Sequence, residues 1–190
     1  MRLQLGHKLS LDELVEGCKL GKRSSQELLY KTYASKMLAV CARYAKDNFE
    51  AEDMLQVGFV KIFEKIKDYK GEGSFEGWVR RIMVNTSIEF YRKNARMFQV
   101  VDIDNAPETP VQENQLSKIN MNDLLKIIQK LSPGYRMIFN MYAIEGFSHK
   151  EIALELGISE GTSKSQLARA RAILQENILK MEGNHNEALR

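Results

Sequence analysis

Thr162, Lys164, Ser165, Ala168, Arg169 and Arg171 lie within ten positions of one another, and the chemistry open to those residue types is recognition of a nucleic acid. On a helix turning 100° per residue, Leu167, Ala170, Leu174 and Ile178 fall on one side, while Thr162, Ser165, Ala168, Arg169 and Ala172 fall largely on the other. The outer side is small, polar and basic. That composition suits the major groove, where small residues permit close approach, hydroxyls contact phosphates and an arginine can pair both guanine acceptors, a discrimination worth about 1–3 kcal/mol. The ordinary alternative is a solvated face with a few arginines. The preceding residues favour the groove: Ser148 and Glu151 make a capping box, Ile152 and Leu156 point inward, Gly157 permits a turn, Ile158 plugs the angle and Ser159 caps the second helix.

A second set has the chemistry of single-strand binding. Arg81, Asn85, Ile88 and Arg92 recur at offsets of four, three and four, Trp78 borders them, and the approach from Asp68 to Ser74 carries Tyr69 and Lys70 before Phe75. Positive groups beside aromatic faces supply what a backbone and unstacked bases require. Core aromatics flanked by arginines that snorkel outward would give the same pattern, and the residues alone leave both open. In a third set, Asp53, Gln56, Val57, Val60 and Glu64 lie opposite the core face of their helix. Two β-branched apolar residues there are expected to be wet, as on a surface for a partner helix.

These residues need helices to hold them. Tyr30, Tyr33, Met37, Val40 and Tyr44 recur at helical spacing behind Ser24 and Glu27, read as a capping box; Asn48 opens a helix whose core face is Ala51, Leu55, Gly58, Phe59, Ile62 and Ile66. Ser74 caps a helix to about Arg96, and a shorter one spans Leu9 to Leu20. Leu124, Ile127, Ile128 and Leu131 form a later stripe. Ser132 and Pro133 then start a helix with Tyr135, Ile138, Phe139 and Tyr142 inside, and Gly146 stops it. Strand signals are nearly missing, so the expected fold class is all-α. Between the two helical groups, "FQVVDIDNAPETPVQENQLS" carries Asp102, Asp104, Glu108 and Glu113 with no Lys or Arg, and Pro107 and Pro110 interrupt it. It reads as an acidic linker. The expected domains are 1–97 and 119–182, with the linker at 98–118 and a tail at 183–190.

Composition narrows the function classes. The 44% hydrophobic and 28% charged content is that of a globular chain, and no run approaches the roughly 18 apolar residues of a membrane span. The N-terminal stretch lacks the pattern of a signal peptide, so a cytoplasmic location without membrane insertion is expected. Cys18 and Cys41 form no CxxC, and His7, His149 and His185 are scattered; no metal site or cofactor is expected. Nucleotide-binding and nucleophile-elbow motifs are lacking, which argues against an enzyme. A net charge of +3 decides little, because nucleic-acid binding depends on clustering.

About nine tenths of the chain resembles the extracytoplasmic-function (ECF) type of bacterial sigma factor. The stretches "LLYKTYASKMLAVCARYAKDNFEAEDMLQVGFVKIFEKI" and "YKGEGSFEGWVRRIMVNTSIEFYRK" are similar to the family's second conserved region, and "LSPGYRMIFNMYAIEGFSHKEIALELGISEGTSKSQLARARAIL" to its fourth. Regions one and three of larger sigma factors have no counterpart. The resemblance implies a sigma factor that joins core RNA polymerase and directs promoter-specific initiation, with a helix-turn-helix in the second domain. It implies polymerase contact by Asp53, Gln56, Val57, Val60 and Glu64, capture of the melted minus-ten strand by Tyr69, Lys70, Phe75, Trp78, Arg81, Asn85 and Arg92, and minus-thirty-five duplex reading by Thr162, Lys164, Ser165, Ala168, Arg169 and Arg171. An acidic residue often stands at the Val57 position in the family, and some relatives carry a larger residue at that of Ala168. The acidic linker would thread through the polymerase, and an anti-sigma factor is an expected partner. Two other readings are a stand-alone helix-turn-helix regulator, which leaves Trp78 and Val57 unassigned, and a helical adaptor that binds protein only.

Overall fold

The computed structural model describes residues 9–95 and 120–187; the acidic stretch Phe98–Ser117 lies outside the described residues. Eight α-helices and no strand are present among the described residues. Helix α1 (Leu11–Lys19) begins at a Ser10–Glu13 capping box and ends in a Schellman turn, where Lys22 N–H donates to Gly17 O at 2.9 Å, Gly21 N–H donates to Cys18 O at 2.9 Å and Gly21 has φ 71°. This turn sets the start of α2 (Arg23–Tyr44). Lys22 is the only residue left to serve as N-cap, without a side-chain bond, so the expected Ser24–Glu27 capping box does not form; Glu27 pairs instead with Arg23 at 3.1 Å. Helix α3 (Asn48–Lys65) takes as its cap the residue before the expected one: Asp47, rather than Asn48, accepts from Glu50 N–H at 2.8 Å. After a 3₁₀ turn at Ile66–Asp68, Ser74 accepts from Gly77 N–H at 3.0 Å and opens α4 (Phe75–Ala95).

Helices α2, α3 and α4 pack on one another through Leu29, Met37, Ile62, Ile66, Val79, Met83 and Ile88, all fully or nearly fully buried. Burial of each such side chain favours the fold by about 1.5–3 kcal/mol. Tyr30, expected on the inner stripe, is exposed, with its ring 4.6 Å from that of Phe59. Gly58 lets α3 and α4 approach closely, since a Cβ there would lie 2.2 Å from Met83 Sδ.

The second group comprises α5 (Met121–Gln129), α6 (Pro133–Phe139), α7 (His149–Leu156) and α8 (Glu160–Glu187). Helix α6 does not stop at its last α-turn. It widens into a π-helical segment, Asn140–Ile144, in which Glu145 N–H donates to Asn140 O at 3.0 Å, before Gly146 turns the chain at φ 78°. Ile127, Ile128, Leu131, Ala170 and Leu174 form a small core of their own. Met137, Ile138, Met141, Ile152 and Leu167 instead join the core of the first group.

Polar bonds follow the same seam. A helix leaves its last carbonyls without intrahelical donors, and at the end of α2 three side chains of the second group supply them. Gln129 Nε2 donates to Ala42 O at 3.1 Å, Asn140 Nδ2 to Arg43 O at 2.7 Å and Arg136 Nε to Tyr44 O at 2.9 Å. Arg136 also donates through Nη1 to Gln129 O and Leu131 O at 2.8 and 3.1 Å, so one guanidinium terminates both α2 and α5.

Candidate nucleic-acid interface

The α7–α8 hairpin forms as its sequence dictates. Ser148 N–H donates to Glu151 Oε2 at 2.8 Å and Ser148 Oγ accepts from Glu151 N–H at 3.2 Å; Ser148, through its backbone and then its hydroxyl, holds the Glu151 carboxyl below its ordinary range. Gly157 ends α7 in the left-handed region at φ 68°, ψ 34°, and Ser159 Oγ accepts from Thr162 N–H at 2.9 Å to open α8. Leu167, Ala170 and Leu174 face inward. Ser165 and Ala168 are exposed and Thr162 and Arg169 half-buried on the outer side, while Lys164 and Arg171, each two positions and so about 200° from Thr162 and Arg169 respectively, are exposed on a flank of the helix. The two hydroxyls have local partners, with Thr162 Oγ1 2.9 Å from Ser159 Oγ and Ser165 Oγ donating to Thr162 O at 3.1 Å, yet each retains acceptor capacity toward solvent.

A brace behind this face had no signal in the residue spacing. The Arg171 guanidinium carbon lies 5.6 Å from the centre of the Tyr142 ring, which stacks on His149 at 4.5 Å, and His149 Nδ1 lies 2.9 Å from the buried Ser163 Oγ. The first residue of α7 is thereby tied to α8. Burial, followed by repulsion from Lys164 and Arg171, keeps the His149 imidazole below its ordinary value and favours its neutral form.

On α4 the strip divides. Tyr69, Phe75 and Trp78 form a ring cluster with centroids 5.1–5.6 Å apart. Phe75 is only 2% exposed and supports the other two from within the core, while Ile88 is buried as well. Lys70, Arg81 and Asn85 are exposed beside the half-buried Trp78 and Tyr69. At the far end, Arg92 pairs with Glu155 of α7 at 2.6 Å, and its Nε donates to the Glu155 carbonyl.

The third face lies on α3, where Asp53, Gln56, Val57, Val60 and Glu64 are all exposed, Val60 at 56%. Phe49, at 82% exposure, extends this face and was not singled out in the sequence. Its spacing of four from Asp53 and eight from Val57 is the signal that could have found it. Phe49, Asp53 and Val57 line one wall of an open groove of about 650 Å³, with Glu89, Phe90 and Lys93 of α4 opposite.

The family model for Sigma-70 region 2 matches residues 29–97, and that for Sigma-70 region 4 matches residues 121–174. The chain belongs to the sigma-70 family, as a member of its ECF type. Region 2 of this sigma factor contains α3 and α4 with their exposed patch and aromatic strip, and region 4 contains the α7–α8 hairpin with Thr162, Lys164, Ser165, Ala168, Arg169 and Arg171.

The chain is 28% identical over 162 residues to an ECF RNA polymerase sigma factor, SigE, of Mycolicibacterium smegmatis, a match covering 82% of this chain and 62% of that protein. It is 28% identical over 160 residues to the RNA polymerase sigma-E factor of Streptomyces coelicolor, covering 84% and 89%. Among solved structures, a sigma factor RpoE crystallised with the anti-sigma factor NepR, from Bartonella quintana, matches at 25% identity with a TM-score of 0.48, covering 81% and 96%. Among the described residues no group of three or more His, Cys, Asp or Glu is placed to hold a metal, and no helix is long and apolar enough to cross a membrane.

Proposed function

We propose that this sigma factor binds core RNA polymerase, reads a bipartite promoter and stabilises its melted form without catalysing a reaction itself. The observation that carries the reading is the coexistence, on one chain, of a helix-turn-helix with a small, basic outer face and an α4 strip that sets Trp78 and Tyr69 beside Lys70, Arg81 and Asn85. A stand-alone duplex reader would have no use for the second feature.

In this reading Arg169 and Ser165 lie at the centre of the face that enters the minus-thirty-five major groove, flanked by Thr162, Lys164 and Ala168, while Arg171 steadies it from the Tyr142 ring. Duplex contact fixes register. Each base step lost on melting forfeits about 1.4 kcal/mol of stacking. Stacking of an unpaired base on an aromatic side chain returns about 1–3 kcal/mol, so a few bases held by Trp78, Tyr69 and their basic neighbours offset several lost steps. Phe75 acts beneath them as support, and Arg92 is the strand-contacting group at the far end. The α3 face, Asp53 to Glu64 with Phe49, is assigned to the polymerase. The acidic linker runs along the polymerase interior, and an anti-sigma factor is the expected inhibitor.

Reconstitution with core polymerase, followed by mapping of RNA start sites, tests the reading. Polymerase-dependent starts downstream of a shared bipartite sequence are expected; tight promoter binding by the isolated chain, with no polymerase-dependent open complex, would overturn it. Arg169→Ala should relax preference at the minus-thirty-five element in a panel of mutant promoters.

A further inference from the structure

Arg171, Tyr142, His149 and Ser163 form a column behind the duplex-reading face. The Arg171 guanidinium carbon stands 5.6 Å from the centre of the Tyr142 ring, that ring stacks on His149 at 4.5 Å with 24° between the planes, and His149 Nδ1 meets Ser163 Oγ at 2.9 Å. We infer that His149 is a positioning residue for duplex reading, holding the angle between α7 and α8, and that its protonation loosens the reader and weakens promoter binding. The inference rests on the minus-thirty-five reading above; the column itself does not.

Leverage gives the first ground. Helix α7 turns into α8 at Gly157 and His149 is its first residue, so the contact with α8 is made at the end farthest from the turn, an arm of about 12 Å. Slack of about 1 Å there rotates one helix on the other by about 5°. A helix-turn-helix lays its second helix in the groove while the first crosses the backbone, so that angle decides whether Ser165 and Arg169 reach base edges with α7 in place. The burial of the partner gives the second ground. Ser163 is 0% exposed, and its hydroxyl meets the imidazole across the helix pair. A neutral imidazole can accept from that hydroxyl or donate to it through Nδ1, whereas an imidazolium can only donate.

Charge gives the third. From α8, Lys164 and Arg171 oppose a charge on the ring and Glu160 favours one. The π-helical segment presents the uncharged Tyr142; Glu145 beyond it is taken by Arg80 at 2.8 and 3.0 Å and by Arg43 at 3.2 Å, and Arg92 of α4 meets α7 at Glu155. On α7 itself Lys150 and Glu151 follow with opposite signs, Glu151 being held by Ser148. Burial, then Lys164 and Arg171, lowers the imidazole below its ordinary value of 6.5. In the loosened state, with the ring in water, it titrates near that ordinary value. The held state is therefore at full strength above it and loses ground, by at most about tenfold per pH unit, as pH falls from there to the depressed value.

The test uses the full chain assembled with core polymerase and a fluorescein-labelled duplex carrying the promoter that start-site mapping yields. Wild type should lose roughly three- to tenfold in affinity between about pH 7.5 and 5.5 relative to His149→Asn, whose amide keeps a partner for Ser163 and cannot take up a proton. Taking the ratio at each pH cancels the response of the polymerase itself. At about pH 7.5, His149→Ala should bind several-fold more weakly than wild type, with His149→Asn between them, and circular dichroism confirms that helix content is kept. In nuclear magnetic resonance of the full chain, the His149 ring proton, assigned by its loss in His149→Asn, should titrate below 6.5 and move upward in Arg171→Gln. A ratio that stays flat with pH, or a His149 midpoint at or above 6.5, would overturn the proton link. Equal affinities of His149→Ala and wild type would overturn the positioning role. The initiation reading fails separately, and takes the inference with it, if wild-type chain and core polymerase give no promoter-directed starts.

Discussion

Arg136→Ala removes a guanidinium that ends two helices at once. It is 4% exposed and donates to Tyr44 O at the end of α2 and to Gln129 O and Leu131 O at the end of α5. Hydrogen bonds from an ionised donor contribute about 1.5–3 kcal/mol each. Burial, partly opposed by Glu50 and Asp47, already pushes the Arg136 group below its ordinary value, so the low end applies. With some relief of desolvation, the net loss is about 3–5 kcal/mol, in line with breaking a buried charged contact. At roughly 2–4 °C per kcal/mol for a chain of this size, the melting midpoint should fall by about 6–20 °C. Thermal unfolding followed by far-ultraviolet circular dichroism measures it. Arg136→Lys should recover only part, because a single ammonium cannot fork between the two helix ends. An Arg136→Ala midpoint within about 2 °C of wild type would refute the double-cap account.

Gly157→Ala should cost about 1–2 kcal/mol in denaturant unfolding through backbone strain alone, since a Cβ there meets nothing within 4 Å, and Gly157→Asn should cost less. Ser148→Ala should lower stability by about 1 kcal/mol at neutral pH. The backbone N–H of Ser148, the larger cause of the depressed Glu151 carboxyl, survives in the variant, and the bond from Glu151 N–H to Ser148 Oγ does not titrate; only the hydroxyl's own bond to the carboxylate is lost as pH falls from the ordinary value through the depressed one, so the gap between variant and wild type should narrow in acid unfolding series without closing. Val60→Asp, at an exposed site, should leave the melting midpoint within the scatter of surface substitutions, yet weaken core-polymerase binding on the order of tenfold; equal affinities by fluorescence anisotropy would remove Val60 from that interface.

Much of the local chemistry whose partners lie within a few residues was legible. The Ser148–Glu151 box, the Gly157 turn, the Ser159 cap and the inner face of α3 follow directly from spacing, and the structure forms each of them. The Ser24–Glu27 pair satisfies the same rule and yields no box, because the Schellman turn at Gly21 brings the next helix in at Arg23 and leaves Ser24 inside it. Competition between neighbouring elements decided that case. Phe49 shares the helical phase of Val57 and Val60, so the same spacing carries its place on their face. The contacts that Glu145, Arg136 and Asn140 make with α2 and α4 join residues 65 to 102 positions apart, and no periodicity in one segment can specify them. Ile88 and Arg92 belong to the strip by helical phase, but burial and a distant carboxylate give them different situations.

The π-helical segment at Asn140–Ile144 holds one residue more than an α-turn can accommodate. Deleting a residue there would regularise the helix and improve its internal hydrogen bonding. The same deletion would rotate Glu145 by about 100° relative to Asn140 and carry it off the arginines of α2 and α4. Local order and long-range contact therefore make opposite demands on chain length at this point. A one-residue length change could detach the two halves with every arginine and glutamate of the seam still present, so the count of residues here is itself part of the lock.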